Sequence, residues 1–241
     1  MSLVSNSNQH SCRDTYRQNF SNTLYMKDFP ITENQPWLDH RLTKEAMDRL
    51  WDDINGKQTA IDNMITLQQT TKSEYIQDKD NWFYENVMKG LVEYLYYKDW
   101  NNYYNVHVAK FVPPPVFELF EFWVNYQKQH EFNPAHNHGG LYSFVVFMKI
   151  PIHWKDQHSL SWLKGSGDNQ VSNFQFLWGH EDGSVQTINF PLCPDDGGRM
   201  LLFPAWMHHQ VFPFYECEGE RITLSGNIAF SKNNAKEKLG K

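Results

Sequence analysis

The chain has 241 residues, 40% of them hydrophobic and 16% aromatic, enough to bury one sizeable core and unlike a disordered chain or a stapled mini-protein. Its 22 basic and 28 acidic residues give a formal net charge of -6, which repels phosphate backbones and anionic bilayers, so neither nucleic acid nor membrane is an expected partner. Apolar runs such as Leu141 to Met148 have strand length and fall short of the roughly 20 residues of a spanning helix.

Residues 1–25 are polar and lack the apolar segment of a secretory signal. Cys12, Cys193 and Cys217 form neither a CxxC pair nor an even framework. A soluble, cytoplasmic protein is the expectation.

In chain order, Thr43 is placed to cap a helix through Trp51, with Glu45 in its first turn and Ala46, Met47, Leu50 and Trp51 on one face. Residues 56–79 read as a polar loop with an apolar patch at Ile61 to Leu67. Asn81 to Tyr97 predicts a second helix whose Trp82, Phe83, Val87, Leu91, Tyr94 and Leu95 form a core stripe. The texture then changes near the prolines at 113–115. Extended runs are predicted from Phe117 to Gln127 and from Leu141 to Ile150. Shorter strands follow at Phe174–Trp178, Val185–Ile188, Met200–Phe203, His209–Phe212 and Ile222–Phe230, separated by turn residues. Many short strands after a helical first half imply a mainly β protein, a jelly roll with N-terminal helices packed on it. The tail from Ser231 is Asn- and Lys-rich and is expected to fray.

Eleven histidines are present, and position separates them. His10, His40, His107, His153, His158 and His180 lack a companion at ligand spacing, and His130 is remote from the pair that has one. His136 and His138, just before the long strand at 141–150, lie two residues apart, so an extended backbone presents both imidazoles on one face. His208 or His209 could supply a third nitrogen; by chemistry alone the two are equivalent. Arg221 follows on a later strand. Three ligands on one octahedral face suit ferrous iron and leave the other face open.

The stretch from Trp123-Val124-Asn125 through Asn133-x-x-His136-x-His138 to Ser143, then Gly198-x-x-Leu201-Leu202-Phe203-Pro204, His209-x-Val211-x-Pro213 and Arg221-x-Thr223 to Asn227, resembles the Fe(II)/2-oxoglutarate-dependent oxygenase superfamily. It is most similar to oxygenases that carry HxH in place of HxD/E. The resemblance covers about residues 116–230. It implies a double-stranded β-helix at about 113–230, a helical N-terminal region at about 36–112 and a flexible tail at 231–241, all within one domain over 1–241. It further implies Fe(II) held by His136, His138 and His209, the family spacing selecting His209 over His208. Arg221 would hold the distal carboxylate of the cosubstrate 2-oxoglutarate, with Thr223 and Tyr126 as further donors. O2 would be the oxidant and ascorbate a reductant.

The resemblance implies a hydroxylase acting on a small metabolite or a peptide side chain, releasing succinate and CO2. With a carboxylate ligand, iron and dianionic 2-oxoglutarate total -1; with neutral His138 in its place they total zero. Asp195 or Asp196 is an alternative middle ligand. A cupin-type three-histidine dioxygenase is the competing enzyme reading, weakened by the lack of Glu between 139 and 148; a non-catalytic jelly-roll binding module is the other. Trp123, Tyr142, Trp162, Trp178, Trp206 and Phe212 are candidate pocket aromatics, and Ile152 to Ser172 is a candidate lid. The oligomeric state is not written in the sequence.

Overall fold

In the computed structural model, Thr43 adopts an extended backbone and its Oγ1 accepts from Ala46 N–H at 3.2 Å, opening helix α1 (Lys44–Ile54). The helix runs three residues past the expected end, to Ile54. The structure describes residues 35–56, 59–60, 72–100, 115–165, 169–180 and 182–231. The Ile61–Leu67 patch, the tail beyond Ser231, His10 and His107 lie outside them.

The second helical segment is less regular than its sequence predicts. A 3-10 turn at Lys79–Asn81 leads into a π turn at Tyr84–Met88 and then helix α2 (Lys89–Trp100). The carboxylate of Asp78 accepts from the N–H groups of Phe83 and Tyr84 at 2.8 and 2.9 Å. The buried stripe is Phe83, Tyr84, Met88, Val92 and Leu95, while Tyr94 is exposed. A π turn takes more residues than an α turn, so the buried face moves by one position after Phe83 and the expected Val87–Leu91–Tyr94 line is displaced.

Strands β1 (Leu38–Arg41), β2 (Thr59–Ala60), β3 (Lys72–Tyr75), β4 (Phe117–Gln127), β6 (Tyr142–Lys149), β9 (Arg199–Pro204) and β11 (Arg221–Phe230) form a seven-stranded sheet in the order β1-β9-β6-β11-β4-β3-β2. Strands β5 (Asn133–His136), β7 (Phe174–Gly179), β8 (Val185–Phe190) and β10 (His208–Val211) form a second sheet in the order β5-β10-β7-β8. All pairs are antiparallel. From β4 onward the chain winds repeatedly between the sheets, large, small, large, small, small, large, small, large, which is the course of a double-stranded β-helix. The mainly β expectation holds. The polar loop expected at 56–79 contains the edge strand β2 and its neighbour β3 instead; Lys72-Ser-Glu-Tyr buries only Ser73, too little apolar content to signal a strand.

Between the sheets, Val145 and Phe147 of β6 and Leu201 and Phe203 of β9 meet Phe174, Phe176 and Phe190 of the small sheet. Phe176 lies 4.9 Å from Phe203, ring centre to ring centre. On the outer side of the large sheet Phe144 meets Phe83 and Phe122 at 5.8 and 6.0 Å, and Phe83 stacks on Phe122 at 5.7 Å. Buried on both faces, β6 reads as an unbroken apolar run. Gly226 of β11 is required by this packing, since a Cβ there would stand 2.7 Å from the Phe144 ring. A helix at the outer face and an aromatic core inside hold the large sheet rigid where it lines the site. No helix among the described residues is long and apolar enough to cross a membrane.

Candidate functional site

His136 ends β5 and sits directly across from His209 of β10 in the antiparallel register. Their ring centres are 4.2 Å apart, and His138 lies 5.0 Å from each. The segment after β5 is fixed because His138 N–H donates to Ala205 C=O at 2.9 Å, tying it to the turn between β9 and β10. One nitrogen from each of the three rings falls within 4.8 Å of the others.

The ring tautomers follow from the backbone. Nδ1 of His136 lies 2.7 Å from Pro134 C=O and Nδ1 of His209 lies 3.2 Å from Met207 C=O. A carbonyl only accepts, so both Nδ1 atoms carry the proton and both Nε2 atoms keep a lone pair. Burial lowers the pKa of His136, and burial followed by the neighbouring His136 lowers His138 to about 4. His209, packed on Phe174 at 5.6 Å and Phe203 at 5.0 Å, is held well below the usual imidazole range by burial and then by His136 and His138. All three are neutral at pH 7, the form that ligates a metal.

His208 is exposed and alternates to the opposite face of β10. Asp196 is committed elsewhere: its carboxylate accepts from Arg199 Nη1 at 3.2 Å and from Cys193 N–H at 2.9 Å. Asp195 is exposed, and neither aspartate joins the cluster.

Arg221 opens β11 and is 1% exposed. Nη1 donates to Gln127 Oε1 at 3.1 Å and Nη2 to Ser172 C=O at 2.7 Å, while the buried Nε has no hydrogen-bond partner among the described residues. Its guanidinium also lies 5.3 Å from the Phe214 ring centre. No carboxylate among the described residues pairs with it. Burial lowers its pKa to about 9, so it remains a cation at neutral pH. A buried cation with neutral partners and an orphaned N–H is the chemistry of an anion site, because leaving it unpaired is costly.

Arg221 and the three histidines line one cleft of about 280 Å³. Alternation along β11 adds Thr223, Ser225 and Asn227; alternation along β4 adds Gln127, Asn125, Trp123 and Glu121. Thr223 Oγ1 is 3.4 Å from Asn125 Nδ2. Tyr126 is a correction: it falls on the other face of β4, where Lys72 Nζ lies 5.1 Å from its ring centre. Gln127, Asn125 and Glu121, which the sequence did not single out, occupy the cleft in its place.

Of the candidate aromatics only Trp123 lines the cleft, 5.5 Å from the His138 ring. Tyr142 is core, Trp178 packs on Trp37 at 6.2 Å, and Trp162 and Trp206 are exposed. Phe212 does not line it. The Ile152–Ser172 segment folds into a short helix, Trp154–His158, and a 3-10 turn, Ser161–Leu163. None of its described residues lines the cleft; Ser172 instead backs Arg221 from behind.

The chain is similar in structure to a Pseudomonas putida prolyl-4-hydroxylase, with 13% identity, a TM-score of 0.44 and coverage of 82% of this chain and 94% of that one. It is similar also to a Trichoplax adhaerens prolyl hydroxylase solved with a hypoxia inducible factor peptide, with 11% identity, a TM-score of 0.48 and coverage of 97% and 98%. A Burkholderia pseudomallei oxidoreductase of the 2OG-Fe(II) oxygenase family gives 8% identity, a TM-score of 0.49 and coverage of 80% and 85%. No curated protein sequence matches the chain significantly. Residues 121–227, the stretch carrying all three histidines and Arg221, match the family model described as "Putative 2OG-Fe(II) oxygenase". That stretch covers the strands that build the cleft, and over it the chain is similar to the 2OG-Fe(II) oxygenase family.

Proposed function

We propose that the protein is an Fe(II)- and 2-oxoglutarate-dependent dioxygenase that hydroxylates a small metabolite or a peptide side chain, with His136, His138 and His209 as the iron ligands. Arg221 and Thr223 receive the distal carboxylate of 2-oxoglutarate. The observation that carries this reading is the pairing, in one cleft, of three neutral imidazoles with a buried guanidinium that has no counter-ion among the described residues.

Iron and 2-oxoglutarate, when bound, supply the oxidising chemistry: O2 delivers one oxygen atom to the substrate and one to the succinate that 2-oxoglutarate becomes on losing CO2. The chain's own part is positioning and desolvation. Backbone carbonyls of Pro134 and Met207 fix the tautomers of His136 and His209, so that lone pairs and not N–H bonds face the metal. The planar fork of Arg221, braced by Gln127 and Ser172, orients a carboxylate bidentately. Phe174, Phe203 and Phe147 exclude water from the inner wall.

The test is incubation with Fe(II), 2-oxoglutarate and ascorbate under air, alone and with metabolite and peptide pools, reading succinate and oxygen incorporation by mass spectrometry. Iron-dependent succinate is the expected result. Iron bound without any succinate overturns the 2-oxoglutarate reading and returns the site to a three-histidine centre of another kind.

A further inference from the structure

The inner face of the large sheet forms four rungs across β4 and β11: Gln127 with Arg221, Asn125 with Thr223, Trp123 with Ser225, and Glu121 with Asn227. The Arg221 rung is one end. Trp123 faces His138, so the metal-binding cluster stands at the third rung. The fourth rung lies one alternate residue further, roughly 6.5 Å along the strand, on the side away from Arg221.

That rung presents a carboxylate. Glu121 Oε2 accepts from Asn227 Nδ2, and Asn227 Oδ1 in turn accepts from Ser143 Oγ at 2.7 Å. This chain of donors fixes one oxygen of Glu121 and leaves Oε1 without a protein hydrogen bond among the described residues. No lysine, arginine or histidine among them pairs with Glu121. It is the single acid among the described residues lining the cleft, as Arg221 is the single permanent cation. Beside it on the lining are two aromatic residues, Trp123 and its cross-strand neighbour Tyr75 on β3, which is 43% exposed.

A held carboxylate beside aromatic residues on the lining of a cleft is the recognition chemistry of an organic cation, through ion pairing and cation–π contact. We propose that the substrate of this enzyme carries a cationic group, an alkylammonium or a guanidinium, and that Glu121 binds it with Trp123 and Tyr75 alongside. The inference rests on the oxygenase reading of the same cleft and adds to it the substrate class. The Glu121 contact is a specificity contact: it holds the charged end so that a carbon of the attached chain faces the histidine cluster. The net charge of -6 favours approach of such substrates.

The test separates binding from turnover. Ligand-observed NMR titrations with N-acetyl-lysine amide, N-acetyl-arginine amide and their neutral analogue N-acetyl-norleucine amide are run on protein loaded with Fe(II) and 2-oxoglutarate without O2. The expected result is binding of at least one cationic probe about tenfold or more tighter than norleucine. Glu121→Gln removes that preference while its thermal midpoint and iron content match wild type, and Glu118→Gln, on the same strand beyond its bulge and outside the cleft lining, keeps it. Norleucine binding as tightly as both cationic probes, no binding by either cationic probe, or an undiminished preference in Glu121→Gln overturns the proposal. The wild-type comparison decides even if Glu121→Gln does not fold. Failure of the oxygenase reading is seen separately, as absent iron or absent succinate in wild type before any probe is added.

Discussion

The two ends of the cleft meet the same physical problem, desolvation of ionisable groups, with opposite results. At the histidine end burial strips the charge from His136, His138 and His209, because an imidazole can release its proton. At the arginine end burial only brings the pKa to about 9, so Arg221 stays charged with no carboxylate pairing with it among the described residues. One end is therefore a set of lone pairs awaiting a cation, the other a cation awaiting an anion. A protein that kept both for packing alone would gain more from apolar residues of the same volume, so the contrast argues for a ligand that bridges the two.

The largest effect that sharpens the contrast falls on the metal. Iron content of anaerobically loaded His136→Ala or His209→Ala drops to roughly a tenth of wild type or less, since each removes one of the converging nitrogens. His208→Ala, outward-facing on β10, leaves iron content unchanged. Metal analysis reads both, and full iron in the His136 and His209 variants would remove the metal centre.

At the other end, Arg221→Ala leaves iron in place and weakens 2-oxoglutarate by about 2 to 5 kcal/mol, the usual cost of deleting one partner of a buried charge pair. Anaerobic titration of the iron–2-oxoglutarate complex measures it. Equal affinity in the variant breaks the comparison, because the guanidinium would then be a structural cation after all.

How much of this contrast the sequence carries depends on range. His136 and His138 are legible because a two-residue spacing in an extended chain is a local fact, and His209 and Arg221 follow from family spacing. Tyr126 failed, and Gln127, Asn125 and Glu121 were not seen, for one reason: which face of β4 looks inward is set by its pairing with β11, Gln127 opposite Arg221, a contact 94 residues apart. Parity across a sheet is a tertiary property. The same holds for β1 and β3, short strands at and next to the edges of the large sheet whose partners supply the pattern they lack. Strand β6 was plain because burial on both faces leaves nothing but apolar residues, and α2 was found but out of phase by the one residue its π turn inserts.

His138 tests whether the histidine end needs neutrality or only a donor. His138→Asp restores a carboxylate at that place and keeps iron with measurable 2-oxoglutarate turnover, whereas His138→Ala holds less metal, with His136 and His209 remaining. Iron content and succinate yield report both. Full iron and full turnover in His138→Ala would take this residue out of the metal's reach and make its proximity to Trp123, 5.5 Å, a packing contact only.

The smallest effect lies outside the cleft, at a third buried ionisable group that responds as the histidines do. Asp53, on α1, is 7% exposed, and its Oδ2 has no hydrogen-bond partner among the described residues. Burial, and after it the nearby Asp78 carboxylate, raises its pKa to about 6. An acid whose folded pKa exceeds its unfolded value near 3.8 binds protons more tightly when folded, so its contribution is most favourable below that value and is lost as pH rises through about 6. Asp53→Asn, which keeps the shape without the charge, therefore raises the thermal midpoint at pH 7.5, by about 2 °C or more, and the gain shrinks towards pH 4. A midpoint shift equal at both pH values would show that Asp53 remains ionised in the fold, and that discarding charge on burial belongs to the histidine end of the cleft alone.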